Sequence, residues 1–251
     1  DGLVRFAGSK YDLKNPVRSS FLTNTHVSAK GKAVNAATRG ARVWGFQRMQ
    51  KHIGKANWDK VFKSMRLAAG AMLQSSELHW EKQGADCKKC SHIFGLDLIC
   101  DENYNCKMIE VNTNPDFRSS ADLWDDYTTA KTSVVADYAA SRYYNRNSTV
   151  EELSSLLADF HGKGQLERLE EKDWVYLLEY LQEARNRGGL FTAYPNSHFE
   201  KAQRRFLQNH NATLNGSRLL LHDILAFIEP SLEARQITQL ASIAKIALKD
   251  R

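Results

Sequence analysis

Two apolar runs decide the fold of the first half of the chain: Phe94-Gly95-Leu96-Asp97-Leu98-Ile99 and Lys107-Met108-Ile109-Glu110-Val111-Asn112-Thr113-Asn114-Pro115. The residues between them, Cys100-Asp101-Glu102-Asn103-Tyr104-Asn105-Cys106, are rich in turn formers. Two short apolar runs on either side of such a segment are typical of two antiparallel strands and their turn. The sequence therefore predicts a β-hairpin over residues 94–115.

Three side chains of this hairpin carry oxygen atoms within otherwise apolar strands. Glu110 and Asn112 are two residues apart and therefore face the same side, whereas Ile109 and Val111 face the other. Asp97 is the lone carboxylate of the first strand. Burying such groups is costly unless a cation meets them, and oxygen ligands suit Mg²⁺ held together with substrate phosphates. We predict metal ligands at Asp97, Glu110 and Asn112; the alternative is three polar residues at a sheet edge that face water.

Cysteine spacing allows a zinc site as a further alternative. Cys87 and Cys90 have the CxxC spacing of a zinc knuckle, and His92 follows them. A zinc ribbon usually pairs two such knuckles, however, and five residues separate Cys100 from Cys106. We therefore expect ordinary reduced thiols.

The composition is that of a globular protein and excludes a disordered chain, since 42% of the 251 residues are hydrophobic and 10% are aromatic. No apolar run approaches the roughly 18 residues that a membrane span needs, so we expect no membrane partner. The chain opens on Asp1, and residues 2–6 already have the pattern of a strand. We expect the chain to be the later part of a longer protein or a processed product.

The net charge of +6 is unevenly distributed. Residues 13–66 contain 12 Lys or Arg and a single acid, Asp59, whereas the chain beyond Ser119 is slightly acidic. Such a one-sided field favours an anionic partner, although a solvated basic helix face is the simpler explanation. Nucleic acid and an acidic polypeptide fit the charge equally well. No recognisable nucleic-acid-binding motif is present, and the charge alone leaves both kinds of partner open.

Helices are predicted in both halves of the chain, but only the second half is predicted to be all-helical. Apolar residues follow the 3.6-residue period between residues 57 and 80, with Asn57 as the predicted N-cap. Further helices are predicted over residues 43–52, 120–138, 151–160, 173–185, 199–208, 219–228 and 232–248, with Pro230 separating the last two. We predict an α+β domain over residues 1–145 and an all-helical extension over residues 146–251.

The hairpin resembles the Mg²⁺-binding signature of the tubulin tyrosine ligase-like family of ATP-grasp ligases, in residues 94–97 followed by residues 109–115. Residues 21–24, Phe-Leu-Thr-Asn, resemble the family's His-Leu-Thr-Asn segment, and residues 4–6 resemble the strand whose Arg contacts the reacting groups. Residues 183–195 are similar to an Arg-Gly-Phe…Pro passage of glutamylating members. The resemblance covers residues 3–144 well and the helical tail more loosely. It implies the C-terminal portion of an ATP-grasp domain, with a mixed or antiparallel sheet and helices.

By this resemblance the expected activity is ATP-dependent ligation of an amino acid, glutamate first among the candidates, to the acidic tails of tubulin through an acyl phosphate. ATP and Mg²⁺ are the implied cofactors, with Asp97, Glu110 and Asn112 on the metal. Arg5 would contact the acyl phosphate or the carboxylate. Thr23 and Asn24 would line the nucleotide or substrate cleft. The implied partner is tubulin, with no nucleic acid and no membrane, and the implied location is cytoplasmic, on microtubules of the cytoskeleton, a cilium or a flagellum.

Two features depart from the family pattern. Asn114 and Asp116 stand where Ser is common, and the family's nucleotide-clamping Lys and adenine pocket precede the first strand of this chain. The alternative is therefore a catalytically incomplete family member that acts as a structural microtubule-binding or ciliary component. We expect this chain alone to bind metal and acidic peptide better than it catalyses.

Overall fold

The computed structural model describes residues 2–7, 9–21, 23, 43–82, 92–115, 149–194 and 216–249. The chain divides into two compact units, Asp1–Lys60 with Asp116–Val135, and Val61–Pro115 with Ala136–Arg251. Helices and small antiparallel sheets are both present, so the predicted α+β class is confirmed. The helices predicted over residues 120–138 and 199–208 lie outside the described residues. The division after residue 145 stays a prediction.

The first unit contains a two-stranded sheet. Strand β1 (Leu3–Arg5) pairs antiparallel with β2 (Val43–Gly45). Helix α1 (Arg18–Phe21) precedes β2, and helix α2 (Phe46–Ile53) follows it directly. The helix predicted over residues 43–52 is therefore wrong at its start. Its first three residues pair with β1, a long-range contact that helical periodicity does not reveal.

Helix α3 (Lys55–Lys82) begins two residues before its predicted start. Gly54 separates it from α2 and has a φ of 79°, a backbone conformation that suits glycine. Asn57 is not the N-cap, because its side-chain amide donates a hydrogen bond to the carbonyl of Ile53, 3.0 Å away.

The predicted hairpin is confirmed: strands β3 (Gly95–Cys100) and β4 (Cys106–Asn112) pair antiparallel. Asp101 holds the turn between them, since its Oδ1 accepts the backbone N–H groups of Asn103 and Asn105 at 2.9 and 2.8 Å. These bonds, the one from the Asn105 backbone first, lower the pKa of Asp101. The turn is therefore built from local hydrogen bonds to one carboxylate.

A disulfide bond joins Cys100 to Cys106, whose Cα atoms lie 3.9 Å apart at the two ends of this turn. The expectation of reduced thiols is wrong for this pair, because strand pairing places the two cysteines directly opposite each other. Cys87 and Cys90 lie outside the described residues.

The described residues after 148 contain helices and no strand. The helices are α4 (Val150–Leu156), a 3₁₀ helix (Lys163–Arg168), α5 (Glu171–Asn186) and α6 (Gly216–Lys249). Pro230 lies inside α6 rather than between two helices. Ile228 and Leu232, on either side of it, are both buried. Their burial offsets the roughly 3 kcal/mol that an interior proline costs a helix.

Among the described residues of the extension, one apolar cluster forms the core. It consists of buried side chains from α4, α5, α6 and the segments between them: Leu153, Leu157, Phe160, Leu169, Leu177, Leu181, Ala184, Leu220, Ile224, Leu225, Ile228 and Leu232. Within the described part of the chain, no helix combines the length and apolar character needed to cross a membrane.

A buried polar network crosses this core. Arg187 Nη1 lies 2.8 Å from Glu229 Oε1, and the Tyr180 hydroxyl donates to Glu229 Oε2 at 2.5 Å. Arg187 Nε donates to Gln236 Oε1 at 2.9 Å, and Gln236 Nε2 donates to the carbonyl of Leu190 at 2.8 Å. Burial first, and then the negative charge of Glu229, raise the pKa of Tyr180. The network fixes the loop after α5 against α6.

Arg66 joins α3 to the extension within the second unit. Its Nη1 and Nη2 each donate to a carboxylate oxygen of Glu233 at 2.9 Å. Its Nε and Nη2 donate to the carbonyl of Thr192 at 3.2 and 2.8 Å. The guanidinium also lies over the ring of Phe191, 5.6 Å from its centroid, and Phe62 meets the same ring edge-on. Helix α3 is therefore attached to both the loop after α5 and helix α6.

Candidate metal centre

Strand register places the three predicted ligands on one face of the hairpin. Asp97 lies directly opposite Glu110, and Gly95 lies directly opposite Asn112. Glu110 and Asn112 are two residues apart in β4 and share a face, which Asp97 shares through its pairing with Glu110. The hairpin therefore brings together the three side chains that the sequence singled out.

A β-bulge lies beside these residues. Asp97 pairs with Glu110 but Leu98 pairs with Met108, so Ile109 has no partner in β3. The strict alternation predicted for β4 is interrupted here, and Ile109 is 62% exposed. Bulges bend a strand and change the direction of nearby side chains, and they are frequent next to functional sites.

The candidate ligands are exposed rather than buried. Asp97, Glu110 and Asn112 all face solvent, so the expectation that they are desolvated in the hairpin is wrong. Within the described residues neither carboxylate has a Lys or Arg partner. Like charges directly opposite on neighbouring strands repel each other, and a bound cation would relieve that repulsion.

The donor set fits a hard divalent cation. Across the described part of the chain, no three His, Cys, Asp or Glu side chains cluster as a metal site would require. The candidate set is instead two carboxylates and one amide, all oxygen donors. Mg²⁺ is commonly held by one or two carboxylates and completes its shell with water and substrate phosphates. An exposed pair of carboxylates leaves room for those additional ligands.

The turn end of the hairpin is anchored on α3. The backbone N–H of Cys106 donates to Ser64 Oγ at 2.7 Å. Cys106 and Val61 are both buried, at 8% and 7% exposure, and Cys106 Sγ lies 3.9 Å from the carbonyl oxygen of Val61 on α3. The anchor fixes the first residue of β4, four residues before Glu110.

The open end of the hairpin is held by residues that the sequence did not assign to this site. His92 Nε2 donates a hydrogen bond to the carbonyl of Thr113, and its ring lies 4.6 Å from that of Phe94. A Cβ added to Gly95 would come within 3.1 Å of Pro115 Cβ and 3.4 Å of Asn112 Cβ. The sequence singled out His92 only as a zinc ligand, and nothing in its spacing indicates a contact with Thr113.

The remaining predicted site residues lie in the first unit. Arg5 is the last residue of β1, opposite Val43, and its side chain is exposed. Thr23 is also exposed. Asn24 lies outside the described residues. The roles predicted for these three residues stay predictions.

Comparison with known proteins identifies a family for the first half of the chain. The model of the Tubulin-tyrosine ligase family matches residues 1–147. That range contains β1, α3 and the whole hairpin, and it confirms the resemblance that the hairpin residues indicated.

Curated relatives each match about half of the chain. "Probable tubulin polyglutamylase TTLL2" of Mus musculus is 30% identical over 120 residues, which are 46% of this chain and 22% of the relative. "Tubulin glycylase 3A" of Drosophila melanogaster is 30% identical over 132 residues, 49% of this chain and 13% of the relative. "Probable tubulin polyglutamylase TTLL9" of Rattus norvegicus is 21% identical over 137 residues, 55% of this chain and 29% of the relative.

The chain thus spans less than a third of the length of these curated relatives. No solved structure matches the chain significantly, so the ATP-grasp assignment stays a prediction.

Proposed function

Because the chain belongs to the tubulin-tyrosine ligase family, we propose that the protein uses ATP to ligate an amino acid, glutamate first among the candidates, to tubulin tails. The names of the relatives support this proposal, since they describe tubulin polyglutamylases and a tubulin glycylase. We propose glutamate rather than glycine as the amino acid because residues 183–195 resemble the Arg-Gly-Phe…Pro passage of glutamylating family members. The reaction would proceed through an acyl phosphate, as the resemblance implies.

The observation that carries the proposal is the pairing of Asp97 with Glu110 on the face that also bears Asn112. Two opposed carboxylates without a described basic partner repel each other, which is unfavourable unless the site receives a cation. In this proposal the two carboxylates and the amide oxygen of Asn112 hold Mg²⁺. When bound, Mg²⁺ neutralises charge on the nucleotide phosphates during transfer.

Two further roles are proposed for the first unit. Arg5 would hold a carboxylate or a phosphoryl group, since a guanidinium donates two parallel hydrogen bonds to either. Thr23 and Asn24 would bind the nucleotide or the substrate through their hydroxyl and amide groups.

The proposed partner is the acidic tail of tubulin, and the proposed location is the microtubule cytoskeleton. Several basic side chains of the first unit are exposed: Lys14, Arg18, Lys51, Lys55 and Lys60. Exposed positive charge accelerates the capture of an acidic chain and is screened by salt. Tubulin binding is therefore expected to weaken as the salt concentration rises.

The test is incorporation of a labelled amino acid into tubulin by the full-length protein. Glutamate, glycine and tyrosine are supplied in parallel with ATP and Mg²⁺, and the variant is Glu110→Gln. This variant should reduce incorporation at least about 100-fold, because it removes one of the two negative charges proposed to hold Mg²⁺. Glu102→Gln, an exposed glutamate in the turn of the same hairpin, is the matched control and should retain full activity.

Incorporation of glutamate that depends on Glu110 and not on Glu102 would support the proposal. Incorporation of glycine or tyrosine instead would overturn the choice of amino acid. Equal incorporation by Glu110→Gln and the parent protein would overturn the metal assignment. Binding to microtubules without any incorporation would favour the structural role.

A further inference from the structure

We propose that His92 is a positioning residue for the proposed metal site and acts by fixing the position of the ligand Asn112. His92 precedes β3 and Thr113 follows β4, so the hydrogen bond from His92 Nε2 to the Thr113 carbonyl joins the two arms of the hairpin beyond their last paired residues. The last ladder pair is Gly95 with Asn112, so strand pairing alone holds Asn112 only on its N-terminal side. The His92 bond holds the peptide on its C-terminal side.

Gly95 completes this arrangement from the opposite strand. A side chain there would press on Pro115 Cβ at 3.1 Å and on Asn112 Cβ at 3.4 Å, while Asn112 Nδ2 would lie 3.9 Å away. The chain after Asn112 therefore passes close over Gly95, where only a hydrogen atom fits without displacement. Asn112 is thus held between the close approach of its chain to Gly95 and the hydrogen bond from His92 to Thr113.

The chemistry of the bond assigns the proton of the histidine. A carbonyl oxygen only accepts, so Nε2 of His92 carries hydrogen in this contact. The ring packs against Phe94, one residue before Gly95, which fixes its orientation. Partners of this kind, which orient a ligand without touching the metal, typically change metal affinity or activity by about 10- to 100-fold when they are removed.

This proposal rests on the proposed function, because it requires Asn112 to be a metal ligand. The protein is titrated with Mn²⁺, a paramagnetic substitute for Mg²⁺. His92→Phe keeps a ring against Phe94 and removes the donor, whereas His92→Gln keeps a donor. His92→Phe should weaken Mn²⁺ binding about threefold to tenfold, at or below the low end of the range for such partners, because His92 acts through the backbone. His92→Gln should restore most of the affinity.

A double-mutant cycle separates positioning of Asn112 from a general loss of structure. In an Asn112→Ala background, His92→Phe should change Mn²⁺ affinity by less than about 1.5-fold, because the ligand that it positions is gone. An unchanged threefold to tenfold loss in that background would overturn the proposal. His79→Phe, an exposed histidine on α3, is the control and should leave Mn²⁺ affinity unchanged.

A measurement without metal distinguishes failure of this proposal from failure of the proposed function. In the metal-free protein, His92→Phe and Gly95→Ala should each shift the side-chain amide resonances of Asn112. Unchanged Asn112 resonances would overturn the positioning role. If the Asn112 resonances shift, the contact from His92 is supported. If Asp97→Asn nevertheless leaves Mn²⁺ affinity unchanged, the metal assignment is overturned.

Discussion

Replacing Arg66 with methionine tests whether the extension is held against α3 by one side chain. Arg66 makes two hydrogen bonds to Glu233 and two to the carbonyl of Thr192. The Arg66 and Glu233 side chains are only 14% and 25% exposed, so solvent screens the pair partly. Methionine preserves the packing of the stem and removes all four bonds.

The expected loss in the free energy of unfolding is about 2–3 kcal/mol. A hydrogen bond to a charged group contributes about 1.5–3 kcal/mol, and an unsatisfied group left behind costs about 1–3 kcal/mol. The total is reduced because water can reach the partly exposed Glu233. For a chain of about this size, such a loss lowers Tm by about 4–12 °C.

The assay is urea unfolding followed by circular dichroism, with Lys63→Met as the matched control on the exposed side of the same helix. The control should change stability by no more than about 0.5 kcal/mol. A double-mutant cycle with Glu233→Gln should give a coupling energy of about 1–2 kcal/mol. A loss below about 0.5 kcal/mol for Arg66→Met, or no coupling to Glu233, would refute the reasoning.

Three further substitutions test the core of the extension. Leu181→Ala removes a fully buried side chain and should cost about 2–5 kcal/mol in chemical denaturation, and a cost near zero would contradict the packing. Glu229→Leu leaves Arg187 buried without its ion pair and should cost about 3–5 kcal/mol, whereas a stabilised variant would contradict the network. The raised pKa of Tyr180 keeps its phenol protonated in the folded state. The contribution of Tyr180 to the free energy of unfolding is therefore fully present below pH about 10, and it falls at higher pH because tyrosine ionises in the unfolded state. The free energy of unfolding of Tyr180→Phe should decline less above pH about 10 than that of the parent protein, and identical declines in the two proteins would refute the assignment.

The hairpin and its three oxygen-bearing side chains were predictable because their signals are local. Two apolar runs and a turn define the strands, and a two-residue period decides that Glu110 and Asn112 share a face. The pairing of Asp97 with Glu110 was not predictable in this way: the register at the turn pairs Leu98 with Met108, and only the bulge at Ile109 places Asp97 opposite Glu110. The helical character of residues 151–156, 173–185 and 219–248 was predictable for the same reason, since their apolar period is 3.6 residues.

The features that the sequence did not reveal depend on contacts between distant residues. Strand β2 forms because Val43–Gly45 meets β1, and α6 continues through Pro230 because the apolar face on both sides is buried. The bulge at Ile109 and the bond from His92 to Thr113 likewise arise only when the two arms of the hairpin meet. None of these has a signature in the spacing of neighbouring residues.

The most direct test of the metal centre is to locate the ion on the isotope-labelled protein by nuclear magnetic resonance. Substoichiometric Mn²⁺ broadens the amide resonances of residues close to it, and excess Mg²⁺ reverses the broadening where the two ions share a site. We predict reversible broadening centred on Asp97, Glu110 and Asn112, and its loss in Asp97→Asn. Broadening centred on the turn at Asp101 and Glu102, or broadening that Mg²⁺ does not reverse, would contradict the account.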